Sequence, residues 1–122
     1  MDYYDFLFGD DSFCKEIEDC MVWNHDKYWK MELFLIKKIK ELRFSNHIDI
    51  SLSKNLYYLG VFMTRICLIS QNPNDSWCIE NLSDDQIDDF YLRFTLIMRS
   101  FFGGVDTNYE EFLFMENPLY YV

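Results

Sequence analysis

The sequence lacks the motifs from which common catalytic sites are built. It contains no glycine-rich phosphate loop, no Gly-x-Ser-x-Gly elbow and no His-Glu-x-x-His pair. Its two histidines, His25 and His47, are too few for a histidine-rich metal site. We therefore expect no catalytic residues, no metal ion and no cofactor, and we expect that the protein is not an enzyme.

The spacing of the four cysteines matches no metal or redox motif. The chain has no Cys-x-x-Cys pair, and no histidine follows a cysteine at zinc-finger intervals. Cys14 and Cys67 stand among apolar residues, where a free thiol behaves as a small hydrophobic group. The sequence predicts reduced core thiols at Cys14, Cys20, Cys67 and Cys78.

A targeting sequence and a long apolar run are also missing. The first residues, MDYYDFLFGDD, have neither a basic segment nor a long apolar one, so we predict no signal peptide. The most apolar stretch, residues 52–70, is interrupted by Arg65 and is shorter than the about 20 residues that cross a bilayer. We expect a cytoplasmic location and no membrane contact.

Hydrophobic residues, in contrast, are abundant. They make up 50% of the chain, and 20% of all residues are aromatic, far more than a disordered chain contains. A chain of 122 residues has the usual size of one domain with one core. We predict a single folded domain over residues 1–122.

Apolar residues recur at helical spacing in several segments. Residues 52–70 are apolar on nearly every side, which predicts a helix that partners surround completely. Other helices are predicted over about residues 12–22, 24–44, 83–102 and 107–115. The predicted fold class is all-α, a single-domain bundle of about five helices around a buried central helix.

Two of these helices carry a motif that marks a helix start. Ser83 with Gln86, and Thr107 with Glu110, match the capping box, in which two side chains and two backbone N–H groups bond reciprocally. Gly103 and the glycine that follows it predict a left-handed end of the helix over residues 83–102.

The chain is strongly acidic, with a formal net charge of -10. Such a charge repels nucleic acid and anionic membranes, so we expect neither as a partner. It favours a basic partner, or it simply keeps an aromatic-rich protein in solution. The basic residues cluster in the helix over residues 24–44, where we predict a solvated face paired with carboxylates of the same chain.

The acidic residues gather near the start of the helix over residues 83–102. Asp84 and Asp85 lie in its first turn, where the helix dipole favours an anion by about 0.3–1 kcal/mol. Asp88 and Asp89 lie beyond that turn, and each repels the carboxylate four residues earlier by about 0.2–0.5 kcal/mol. Either the lysines of the helix over residues 24–44 or a basic partner protein could relieve this repulsion.

A second acidic cluster near the end of the chain includes Tyr109, Glu110 and Glu111. Tyrosine among carboxylates suits contact with a surface rich in arginine and lysine. A solvated acidic surface is the alternative.

The acidic, aromatic helix over residues 83–104 and the tail over residues 109–122, in a small chain without alanine, resemble the immunity proteins of bacterial polymorphic toxin systems, including contact-dependent growth inhibition. The resemblance implies binding to one cognate toxin domain, often a basic nuclease such as an RNase, by covering its active site or substrate groove. The expected contact residues are Asp84, Asp85, Asp88, Asp89, Tyr109, Glu110 and Glu111.

Two other functions remain open at this point. An acidic mimic of nucleic acid, encoded by a phage, would inhibit a defence nuclease through the same charge. An enzyme would use carboxylates to hold a divalent metal ion.

Overall fold

A computed structural model describes residues 2–45 and 47–121, which fold into an all-α bundle. This confirms the predicted fold class. The prediction of about five helices did not include the short N-terminal helix. The described residues form the helices α1 (Tyr3–Phe8), α2 (Phe13–Cys20), α3 (His25–Leu42), α4 (Ile50–Ser70), α5 (Asp84–Ser100) and α6 (Thr107–Met115).

The capping box predicted for α5 is confirmed. The Ser83 Oγ accepts a hydrogen bond from the Gln86 N–H at 3.2 Å, and the Gln86 side chain accepts one from the Ser83 N–H at 2.9 Å. At the other end, the backbone reverses at Gly103, which has a φ of 73°. This left-handed conformation favours glycine because it has no Cβ.

The capping box predicted at Thr107 is wrong. The N-cap of α6 is Asp106, whose carboxylate accepts hydrogen bonds from the N–H groups of Asn108 and Tyr109. Aspartate is a slightly better N-cap than threonine, so Thr107 becomes the first helical residue.

The sequence predicted α4 as the central helix of the bundle, but α5 holds that position. Helix α5 packs against α3, α4 and α6, whereas α4 packs mainly on α5 and α1. One side of α4 carries a stripe of buried residues at helical spacing, and these residues are the contribution of α4 to the core. This stripe contains Leu52, Leu56, Leu59, Met63 and Ile66.

The prediction that α4 is buried on every side is wrong. Tyr57 is 70% exposed, Val61 51% and Leu68 62%. The sequence shows that this side of α4 is apolar, but in the described structure it stays open to solvent. Among the described helices, none combines the length and the apolar character needed to cross a membrane.

An ion pair that the sequence did not predict lies in the core between α3 and α5. Glu32 is fully buried, and its two carboxylate oxygens accept hydrogen bonds from Arg93 at 2.6 and 2.9 Å. The Tyr28 hydroxyl and the Asn117 amide also donate to Glu32, at 2.9 and 3.2 Å. Because each carboxylate oxygen has two donors, the cost of burying this charge is offset.

Two of the four free thiols are buried and two are exposed. Cys14 and Cys67 are buried as predicted, and burial raises the pKa of both; that of Cys67 rises to about 12, with a smaller contribution from Asp88. The prediction of core thiols is wrong for Cys20 and Cys78, which are exposed. Cys20 is the last residue of α2, and Cys78 lies in the loop between α4 and α5, so neither position is covered.

Candidate functional site

An apolar groove of about 890 Å³ runs between α4 and α5 on the side that no other described helix covers. Its α4 wall contains Ser53, Tyr57, Gly60 and Thr64, which follow one another at intervals of four, three and four residues. This spacing places them on one face of the helix. Three of the four are small, so the wall recedes between its larger neighbours.

The second wall repeats the same intervals with Tyr91, Thr95 and Met98 of α5 and with Phe102, which lies two residues beyond the end of that helix. These side chains pack only partly against the core or stay exposed, while the opposite face of α5 is buried. The groove therefore exists because both helices carry a second, uncovered apolar face beside the face that builds the core.

Three hydroxyl groups in the groove, those of Thr64, Tyr91 and Thr95, have partners within the chain. Thr64 and Tyr91 are hydrogen-bonded across the groove, with 2.9 Å between their oxygens. The Thr95 hydroxyl donates to the carbonyl oxygen of Tyr91 at 2.8 Å. Since these groups are satisfied, the surface that the groove offers to a ligand is mainly apolar.

The acidic tract begins where the groove ends. Asp84 and Asp88 lie on the same face of α5 as Tyr91, at intervals of four and three residues. Gln71, which follows the last residue of α4, donates to the Asp88 carboxylate at 2.7 Å and to the Asp84 carbonyl at 3.2 Å. Asp85 and Asp89 are exposed on the adjacent face.

The four aspartates take part in no ion pair among residues 2–45 and 47–121. Three of the five lysines of α3 form ion pairs elsewhere: Lys27 with Glu16, Lys38 with Glu41, and Lys40 with Glu111. Of the two ways to relieve the repulsion, pairing with α3 is therefore not observed in the described residues.

The second predicted cluster has a different role. Glu110 is buried and lies 3.5 Å from the Arg43 guanidinium, and Glu111 lies 3.8 Å from the Lys40 ammonium and 3.9 Å from Arg43. These ion pairs fasten α6 to α3. A buried, paired carboxylate is not free to contact a partner, so we remove Glu110 from the candidate contact residues. Glu111, whose side chain is 44% exposed, and the exposed Tyr109 remain candidates.

The groove residues were missed at the sequence level, although a signal was present. The apolar second side of α4, including Val61 and Leu68, was assigned to the core. Gly60 in the middle of that helix was the second signal, because glycine is unfavourable in a helix interior without a packing or functional reason.

In the part of the chain that the structure describes, no group of three or more His, Cys, Asp or Glu side chains is arranged to hold a metal ion. Comparison of the chain with protein-family models, with curated proteins and with solved structures finds no match.

Proposed function

We propose that the protein is an immunity protein that binds a cognate toxin domain, a basic nuclease, and covers its active site or substrate groove. The observation that supports this proposal is the junction of two features. Exposed aspartates without an ion-pair partner in the described residues adjoin an apolar groove that no described helix covers.

Each feature contributes differently to binding. The carboxylates of Asp84, Asp85, Asp88 and Asp89 attract the basic surface on which a nuclease receives phosphates, which raises the association rate and makes it sensitive to salt. The groove supplies apolar area, and uncovered apolar surface with a polar rim is typical of protein interaction sites. Tyr57 and Phe102, both well exposed, are suitable aromatic anchors.

A mimic of nucleic acid is less well supported. Such a protein would present carboxylates spread along its surface like phosphates, and the groove would have no part in binding. The unpaired aspartates instead occupy two turns at one end of an apolar surface. A partner that contacts charge and apolar surface together is a protein.

The test is binding to the toxic domain encoded beside this gene, measured by calorimetry at about 50 and about 300 mM salt. We expect nanomolar binding that weakens with salt and abolishes toxicity. The double variant Asp88→Lys, Asp89→Lys should lose affinity by about 100-fold, since it places like charges against a basic surface. Failure of the wild-type chain to bind this domain would contradict the proposal.

A matched control separates local contacts from total charge. Asp10 and Glu18 are exposed, and neither forms an ion pair within the described residues. The variant Asp10→Lys, Glu18→Lys changes the net charge by the same amount and should bind within a few-fold of the wild type. Equal losses in both double variants would show that only the overall charge matters.

A further inference from the structure

We propose that the α4–α5 groove binds an amphipathic helix of the partner protein. The apolar stripe of that helix fills the groove, and lysine or arginine residues at one end lie over Asp84 and Asp88. The source of the helix, the cognate toxin domain, rests on the proposed function, whereas the groove and its charges are properties of this chain alone.

The shape of the groove matches a helix. Both walls are helices whose lining residues alternate intervals of four and three, an average period of 3.5 residues. Side chains at this spacing interlock with those of a third helix packed along the groove. From Ser53 to Arg65, the first and last α4 residues of the lining, α4 rises about 18 Å, so the groove accommodates about three helical turns.

Gly60 gives a second, independent indication of a close occupant. It lies in the middle of a 21-residue helix, where glycine is unfavourable, and a Cβ built there meets nothing within 4 Å. Packing inside the molecule therefore does not require a glycine at this position. A glycine in the groove wall allows the backbone of an occupant to approach α4 closely.

The charges along the groove select the occupant and orient it. Asp84 and Asp88 stand at one end, where Gln71 joins the two helices. Arg65 is the one charged residue among the described lining residues, whereas Lys54 lies outside the lining with its ammonium 5.8 Å from the centre of the Tyr58 ring. A helix with basic residues at one end complements the end of the groove at Asp84 and Asp88 in one direction only.

An apolar occupant fits the groove better than a small polar ligand. The hydroxyl groups of Thr64, Tyr91 and Thr95 are hydrogen-bonded within the chain. None of them points unpaired into the groove. The lining thus offers mainly apolar contact area, with Arg65 in the wall and the aspartates at one end, and amphipathic helices are recognised in helix-binding grooves by such apolar contact.

The experiment is a display selection of helical peptides of about 18 residues, randomised on all positions, against the purified protein. Counter-selection uses Gly60→Gln, which projects a side chain into the groove from a Cβ position that has no neighbour within 4 Å. We expect enriched peptides with apolar residues at intervals of three and four and a basic cluster at one end. Their affinity, measured by fluorescence anisotropy, should fall at least 10-fold for Gly60→Gln and several-fold for Asp84→Asn, Asp88→Asn.

The matched control is Ile50→Gln, since Ile50 is an exposed residue of the same helix that does not line the groove. This variant should bind the peptides as the wild type does. Circular dichroism of each variant verifies that the fold is retained.

Three results would overturn the inference. The first is the absence of enrichment, or enriched peptides that bind Gly60→Gln equally well. The second is a homodimer that dissociates in Gly60→Gln, which would make a second copy the occupant. The third is a small molecule retained in native mass spectrometry and lost from Gly60→Gln.

The two proposals fail separately. If toxin binding is lost in Asp88→Lys, Asp89→Lys but kept in Gly60→Gln, the immunity function is supported and the groove is not the helix-binding site. If peptide binding is lost in Gly60→Gln and the wild type does not bind the toxic domain, the helix-binding site is supported and the immunity function is contradicted.

Discussion

Arg93 of α5 and Glu32 of α3 form a bidentate ion pair in the core, with donor–acceptor distances of 2.6 and 2.9 Å. Arg93 also donates to the Leu113 carbonyl at 2.7 Å, which connects the pair to α6. Three helices therefore meet at one buried guanidinium. Since helix α5 is fixed on this side, its opposite side forms the wall of the groove.

Removing one member of this pair should strongly destabilise the protein. Arg93→Met leaves the Glu32 carboxylate buried without its counter-charge, and such losses cost about 3–5 kcal/mol. The free energy of unfolding in urea measures this effect. The double variant Glu32→Leu, Arg93→Met should cost much less than the two single variants together. An Arg93→Met cost below about 1 kcal/mol would contradict this account.

Substitution of Gly60 should stabilise the free protein. Gly60→Ala is expected to raise the free energy of unfolding by about 0.5–1 kcal/mol, because alanine favours the helix and its Cβ meets no neighbour. The control is Gly103→Ala, which should destabilise because Gly103 has a φ of 73°. Thermal unfolding compares the two, and a destabilised Gly60→Ala would mean that the groove wall is packed.

Neutralising Asp89 should stabilise the free protein slightly and weaken partner binding. Asp89→Asn removes the repulsion from Asp85 four residues earlier, worth about 0.2–0.5 kcal/mol and decreasing with added salt. Urea titrations at low and high salt check the direction. A loss of stability on neutralisation would show that Asp89 has a favourable partner within the chain.

The buried thiols should make the protein less stable at alkaline pH. Burial raises the pKa of Cys67 from 9.0 to about 12, so above pH 9 the unfolded chain releases a proton that the folded chain keeps. The free energy of unfolding should therefore fall by about 1.4 kcal/mol per pH unit for this group until the folded thiol also ionises. Its contribution is fully present below pH 9.

The variant Cys67→Val tests this dependence, since valine does not ionise. Its free energy of unfolding should decline less steeply between pH 9 and pH 11 than that of the wild type. Cys20→Ser is the control, because Cys20 is exposed and its substitution should leave the slope unchanged. Equal slopes for the wild type and Cys67→Val would contradict the prediction.

The N-cap of α6 gives a test of the corrected helix start. Asp106→Ala should cost about 0.5–2 kcal/mol because the carboxylate accepts from the first turn, whereas Thr107→Ala should cost little. Thermal unfolding distinguishes the two variants. The reverse order would restore Thr107 as the cap.

The sequence by itself determined where most helices begin and end. Caps such as Ser83, helix-ending glycines and apolar periodicity act over a few residues, so they can be recognised without knowing the rest of the fold. The short helix α1 escaped because its aromatic and acidic residues show no clear period over six positions.

Only the tertiary structure decided which apolar sides are covered and which charges are paired. Residues 52–70 read as apolar all round, and the arrangement of α1 and α5 determines that Tyr57 and Val61 stay exposed. Glu110 and Asp88 look alike in the sequence. Glu110 nevertheless pairs with Arg43, which lies 67 positions earlier in the chain, whereas Asp88 lies at the end of the groove. Periodicity specifies the faces of a helix, whereas the choice of the face that meets water depends on contacts between segments far apart in the chain.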